Sequence, residues 1–322
     1  MNVQRWLVRQ EPQWSELEAL LNRAEKRGVK TLSADEICQL SRLYRMVSAD
    51  LARAKTRQVG PSIIDYLQGL TLRSYSQVYQ GRKRQDWRAI VEFFQYGFPR
   101  VVQDTWLYTV VAIAIFIISG AIAWWYSWQD SEFMALVVPP DLIDLVQNEG
   151  KLWMGSIVGL EPLASSGIMT NNISVTFATL AGGIFGGLGT IYILWYNGLL
   201  IGAISALVSQ NDLAYPFWAF VFPHGSLELP AIFLAGAAGL LLGQSILFPG
   251  RYKRLTSLKR QGALAIQLMF GVVPLLIIAG VIEGFLSPNP NVPDAVKYVV
   301  GLGILAALGL YLFWPLPKSR FP

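Results

Sequence analysis

The chain has 322 residues, 53% of them hydrophobic, with a formal net charge of +5 and a mean hydropathy of +0.41. Its 26 Lys and Arg are unevenly placed: residues 1–103 hold 17 of them against 10 acids, and the rest of the chain is dominated by long apolar stretches with little charge. A water-soluble helical core is excluded because stretches such as 104–126 have no polar face, and the lone Cys38 excludes an internal disulfide framework.

The chain opens on a polar, charged segment, so no removable signal peptide is expected. Ser15 with Glu18, and Ser33 with Glu36, pair a hydroxyl with a carboxylate three residues on. Such pairs satisfy the free amides of a first helical turn and predict helices over 12–28 and 33–58. In the second, Ile37, Leu40, Leu43, Tyr44, Val47 and Leu51 recur every three or four residues, which lays one apolar stripe along it. A third helix is expected from Pro61, carrying Ile64, Leu67, Leu70 and Leu72, before a polar run through Arg82, Lys83 and Arg84. With Gly28 and Gly60 near the breaks, these segments read as an antiparallel, soluble helical bundle.

Trp87, Ile90, Val91, Phe94 and Phe98 then recur at helical spacing just before the first long apolar run. The segment 87–98 therefore reads as a helix lying along the membrane surface, with Pro99 turning the chain inward. Residues 1–103 together read as a cytoplasmic basic helical domain, where a reducing compartment also suits Cys38. Its bases are scattered over several helices without a recognition motif, so they orient the chain and attract anionic membrane lipid, and no nucleic acid partner is expected.

Residues 104–322 read as a transmembrane domain, with candidate crossings at 104–126, 172–209, 229–248, 263–286 and 296–314. The loop 127–170 holds six acids and one base, whereas 249–262 holds Arg251, Lys253, Arg254, Lys259 and Arg260 and no acid, so the first is placed outside and the second in the cytoplasm. That parity requires 172–209 to cross twice or re-enter, with a break expected near Asn197 and Gly198. The fold class expected is all-α: a polytopic bundle of about six membrane helices, the second and third short or re-entrant, behind an N-terminal soluble helical bundle. Both termini are placed in the cytoplasm, the C-terminal tail with its Lys318 and Arg320. In the outer loop, Pro139 and Pro140 precede a short helix with Leu142, Ile143, Leu145 and Val146; with Trp153 following, it reads as a lid or docking face.

Gly182, Gly183, Gly186 and Gly187, with Gly198 and Gly225, read as helix-packing positions, since no Lys follows the glycines as a phosphate loop would require. The chemistry-bearing group is His224, the only histidine, with Glu228 and Glu283, two carboxylates in apolar surroundings that must neutralise, find partners or line water. Spaced four apart, His224 and Glu228 share a helix face, and all three could meet at one depth. Three readings stay open: a structural lock that includes Asn197, a proton, ion or small-ligand site, or a metal site. The second histidine of zinc peptidases is missing and no nucleophile has an adjacent base, so no catalytic residue, cofactor or metal is expected.

The stretch from Asn171 and Asn172 through the glycines to Asn197, Gly198 and Gly202, then Pro223-His224-Gly225-Ser226-Leu227-Glu228-Leu229-Pro230-Ala231, then Glu283 ahead of Pro288, resembles the stage II sporulation protein M family over about 100–322. The head, with Leu43-Tyr44-Arg45 and Ser48-Ala49-Asp50-Leu51-Ala52, is similar to the N-terminal extension of its longer members. The resemblance implies a multi-pass membrane protein of a bacterium. It also implies a scaffold that is not a hydrolase: in spore formers the family's namesake helps to place sporulation proteins D and P, which degrade peptidoglycan. It makes Asn197, Gly198, His224, Gly225, Glu228 and Glu283 the motif positions. Expected partners are membrane or envelope proteins, a MoxR-type ATPase among the candidates, and a second copy of the chain through the flat glycine-rich helices. A channel or transporter using the His/Glu site is the alternative.

Overall fold

The computed structural model describes residues 3–28, 31–79, 87–154 and 161–315. Arg82, Lys83, Arg84, Lys318 and Arg320 lie outside these residues. All regular structure among the described residues is helical, and the chain divides into two compact units, Met1–Ala89 and Ile90–Pro322.

The first unit contains α1 (Val3–Arg27), α2 (Ala34–Arg57) and α3 (Pro61–Tyr79). The Ser33 box caps α2 as expected: Glu36 N donates to Ser33 Oγ at 3.2 Å, and Ser33 N donates to Glu36 Oε2 at 2.9 Å. The same pattern at Ser15 does not start a helix, because α1 already begins at Val3 and runs through Pro12. Trp6 and Trp14, two turns apart, are both buried with their rings edge-on at 5.5 Å, which draws the earlier turns into the helix. Leu17, Leu21, Leu40, Leu43, Val47, Leu67 and Leu70 fill the core, each burial worth about 1.5–3 kcal/mol. Two residues expected inside, Ile37 and Leu72, are exposed at 39% and 62%. The buried face of α2 starts after Ile37 and runs through Leu40, Leu43, Val47, Asp50 and Ala54.

Polar groups align the three helices. Arg73 on α3 donates to Glu25 at 2.9 and 3.0 Å and to Asn22 at 2.6 Å on α1, and the Glu25 hydrogen bonds raise its pKa above the usual arginine value. Tyr66 donates to Glu18 at 2.9 Å; burial, helped by that carboxylate, pushes its hydroxyl up to about 12. Asp50 is buried in the core and accepts from Trp14 Nε1 at 3.1 Å.

The division falls within α4 (Trp87–Glu92), which continues in the second unit through a π-helical turn, Phe93–Gly97, into α5 (Phe98–Asp104). The expected domain boundary at 103 differs from the division at Ala89, because Phe98, Val101 and Val102 belong to the core of this unit. Phe93 and Phe94 also pack on Phe270 of a later helix, while Trp87, Ile90 and Val91 stay exposed. The remaining helices are α6 (Trp106–Gln129), α7 (Ser131–Val137), α8 (Pro140–Gln147), α9 (Glu161–Gly182), α10 (Leu188–Gln210), α11 (Ala214–Leu247), α12 (Arg254–Val281), which ends in a π-helical turn at Ile282–Leu286, and α13 (Asp294–Phe313). Six of them, α6 and α9 to α13, are long and apolar enough to cross a membrane, and α11 packs against the other five. The chain is a polytopic membrane helix bundle with an N-terminal helical unit.

Four expectations about this bundle are corrected. Asn197 and Gly198 do not break the chain; both lie inside α10, and the reversal comes at Gly183–Phe185 with Gly186 and Gly187. These two glycines stand at φ +66° and +86°, a left-handed backbone that side chains with a Cβ resist. The second and third membrane helices are consequently not short, since α9 and α10 have 22 and 23 residues. Likewise α11 begins at Ala214 rather than 229 and carries Pro223 and Pro230 inside it, and α12 begins at Arg254, within the basic segment.

Gln103 Nε2 donates to the Leu312 carbonyl at 2.7 Å, so the first membrane helix starts where the last one ends. Asp104 and Tyr108 line a cavity with Arg251 and Arg260, so the basic loop shares that end of the bundle. At the opposite end, Met134, Val138, Val146 and Met154 of the α7–α8 segment are buried against Ile204, Leu207, Val208, Phe217 and Phe220. The short helix after Pro139 and Pro140 is present as α8, and α7 precedes it, capped by Asp130, whose Oδ1 accepts from Glu132 N at 2.8 Å.

Candidate functional site

His224 and Glu228 lie one turn apart on α11, between Pro223 and Pro230. At the 1.5 Å rise per residue they sit about 15 and 21 Å along the helix from its start, deeper than a crossing from 229 to 248 implies. Proline has no N–H, so each of these prolines removes one hydrogen bond from the helix and loosens the turn that carries the two side chains. Glu283 reaches the same place from the π-helical turn that ends α12. That widened turn is seated against α9: Ser165 Oγ donates to the Gly280 carbonyl at 2.7 Å, and a Cβ on Gly284 would stand 2.3 Å from that of Ser165. Single π turns of this kind are frequent at functional sites.

One ligand atom from each of His224, Glu228 and Glu283 lies within 4.8 Å of the others. His224 Nε2 stands 3.9 Å from Glu283 Oε1, within ion-pair range and beyond a hydrogen bond. The other ring nitrogen, Nδ1, is 3.0 Å from Ser287 Oγ, which is fully buried, and the Phe220 ring meets the imidazole edge-on at 5.4 Å. Glu283 Oε2 is buried without a hydrogen-bond partner. The three groups face a cavity of about 230 Å³, with Asn172 from α9, Ile201 and Ile204 from α10, and Trp153 and Met154 from the segment after α8.

The three residues singled out in the sequence are thus brought together, and Asn197, expected beside them, is not. Asn197 does not line the cavity; its side chain donates to the Ile193 carbonyl of its own helix at 2.8 Å. Gly225 lines the cavity and does not pack helices, since a Cβ there would meet only Val221 at 3.4 Å. A Cβ on Gly186 would meet only the Leu247 side chain at 3.3 Å and one on Gly187 nothing nearer than 3.8 Å, whereas the other three packing glycines do approach backbone. A Cβ on Gly182 would fall 2.5 Å from Gly189, one on Gly183 2.3 Å from the Gly239 carbonyl, and one on Gly198 2.4 Å from that of Phe116. Ser287 and Asn172 were missed by residue type, because a serine before a proline and an asparagine at the edge of an apolar run are ordinary helix-end residues.

A second, larger cavity of about 630 Å³ opens at the basic end, and sequence patterning does not reveal it. Arg260 donates to Tyr252 Oη at 2.8 Å, its guanidinium 5.5 Å from the ring centre, and Tyr108 donates to Gln244 across the same space. Ser226 Oγ donates to the Pro223 carbonyl at 2.8 Å.

Comparison with known proteins bears on both units. A domain of unknown function (DUF8413) matches residues 4–80. An uncharacterized protein of Methanocaldococcus jannaschii is 31% identical over 126 residues, which cover 38% of this chain and 70% of that protein. No solved structure matches. The stage II sporulation protein M family matches residues 112–288, which take in both arms of the α9–α10 reversal, the whole of α11 and the polar centre; the chain belongs to that family of membrane proteins.

Proposed function

We propose that the protein is a non-enzymatic membrane scaffold that assembles or positions partner proteins. The observation that carries this reading is the way the polar centre is closed off toward the basic end. Below Glu228, Ala231, Leu234, Ala235, Ala237, Ala238 and Leu241 are buried on α11, and Gly239 and Gly243 are pressed against the α9–α10 reversal. That layer of small and aliphatic residues supports a centre that holds helices in one arrangement and, among the described residues, offers no file of ionisable groups across the bundle. The separate N-terminal unit, with its charged surface, supplies a docking module for cytoplasmic proteins such as a MoxR-type ATPase, and the α7–α8 segment supplies one for envelope proteins. Basic residues at one end of the bundle support a topology in which that end, and both termini, face the cytoplasm.

The transport alternative draws its support from Glu283 Oε2, an unpartnered acceptor facing a cavity. A paired experiment separates the two. Photo-crosslinkers at exposed Arg42 and Arg45 in the full-length chain are expected to capture a co-expressed MoxR-type ATPase, and vesicles containing the protein are expected to pass no proton, cation or small-solute flux above empty vesicles. Flux abolished by Glu283→Gln would overturn the scaffold reading.

A further inference from the structure

We propose that His224, Glu228 and Glu283 bind one divalent transition-metal ion of the zinc class, which clamps α11 to the end of α12. The inference goes beyond the scaffold reading and does not depend on it.

The charge balance comes first. Two carboxylates and an imidazole converge within 4.8 Å in a cavity whose lining, among the described residues, includes no Lys or Arg. Buried carboxylates need protons, a cationic partner or a metal, and among the described lining residues no side chain supplies the cation. The geometry comes second. Ser287 engages Nδ1, which leaves Nε2 as the nitrogen facing Glu283. A hydrogen bond from the non-ligating nitrogen is how metal-binding histidines are usually oriented. The 3.9 Å between Nε2 and Glu283 Oε1 is too long for a hydrogen bond and close to the separation of two ligands on one ion. With bonds of about 2.0–2.2 Å, tetrahedral ligand atoms stand about 3.3 Å apart, so loading draws the widest pair inward by about 1.5 Å. Both carboxylates are on turns suited to that movement, Glu228 beside Pro230 and Glu283 on the π turn.

The orphaned Glu283 Oε2 and the lack of a side chain at Gly225 supply the remaining requirements, a free acceptor and room for a water as fourth ligand. An imidazole ligand selects transition metals over calcium and magnesium, which take all-oxygen shells.

The test uses the full-length protein in detergent, purified without chelator, then stripped and titrated with zinc alone. About one zinc per chain is expected in elemental analysis, and zinc is expected to raise the thermal midpoint of the stripped protein. Glu283→Gln and His224→Gln should each lose stoichiometric binding. Because those variants can also fail to fold, Ser287→Ala serves as the gentler probe, with zinc affinity lowered about 10–100-fold. Cobalt(II) in place of zinc should give visible ligand-field bands that change in Ser287→Ala and are absent in His224→Gln. A monodisperse wild-type protein that holds no metal, and whose midpoint does not move with zinc, overturns the proposal. So does zinc binding that is unchanged in Glu283→Gln and His224→Gln.

Discussion

The two units of this chain solve helix packing with opposite means. The N-terminal unit is held by large side chains: two tryptophans and a row of leucines fill its core, and Arg73, Tyr66 and Asp50 set its register with charge-assisted hydrogen bonds. The membrane bundle is held by missing side chains. Gly183 meets Gly239, Gly198 meets Phe116 and Gly202 meets Gly120, in each case at a separation where a Cβ would fall within 2.5 Å of a carbonyl oxygen. The difference follows from the solvent. Water drives bulky apolar groups together, whereas lipid tails are as apolar as leucine and leave only close van der Waals contact and hydrogen bonding to favour association.

Substitutions at matched positions should therefore break the two units differently. The largest effect is expected for Gly239→Leu, where a Cβ already falls 2.3 Å from Thr190 Oγ1 and 2.6 Å from the Thr179 carbonyl. It should abolish monodisperse protein in size-exclusion chromatography, while Gly303→Ala, with nothing within 4 Å, elutes as wild type. Next comes Leu43→Ala in the first unit, expected to cost about 2–5 kcal/mol. Hydrogen exchange on the full-length chain should show faster exchange in α1 to α3 and unchanged exchange in α11. Asp50→Ala leaves the buried Trp14 indole N–H without its acceptor, at a cost of about 1–3 kcal/mol, read by the same exchange measurement. The smallest effect is electrostatic. Hydrogen bonding to Arg23, then to the Ser33 backbone, holds the Glu36 carboxyl below the usual value. The stability this adds is full above about pH 4.5 and is lost as pH falls through the lowered value, so Glu36→Gln should flatten the acid limb of the first unit's stability profile.

What could be read from the residues depended on how local the deciding interaction is. The Ser33 box was legible because its bonds span three residues. The same pattern at Ser15 misled, since burial of Trp6 and Trp14 against other helices carries α1 back to Val3. His224, Glu228 and Glu283 stood out because ionisable groups are rare in apolar segments, and the structure joins them. Ser287 and Asn172 carried no such signal, and Asn197 carried a false one, because a polar side chain inside a helix can satisfy itself on its own backbone.

Composition and charge order alone determined that this chain is a membrane helix bundle with a basic helical head, since lipid admits long apolar helices and few ionisable groups. They also led to reading 172–209 as two crossings, and α9 and α10 are each long and apolar enough to be one. Which glycines turn and which pack was decided only in three dimensions. The reversal falls at Gly186 and Gly187 and the close approach at Gly198, because the same residue type serves either end and only the neighbouring helix selects between them. The polar centre is likewise a tertiary product: α11 and the π turn of α12 must be packed before a lone imidazole and two carboxylates, up to 59 positions apart, face one cavity.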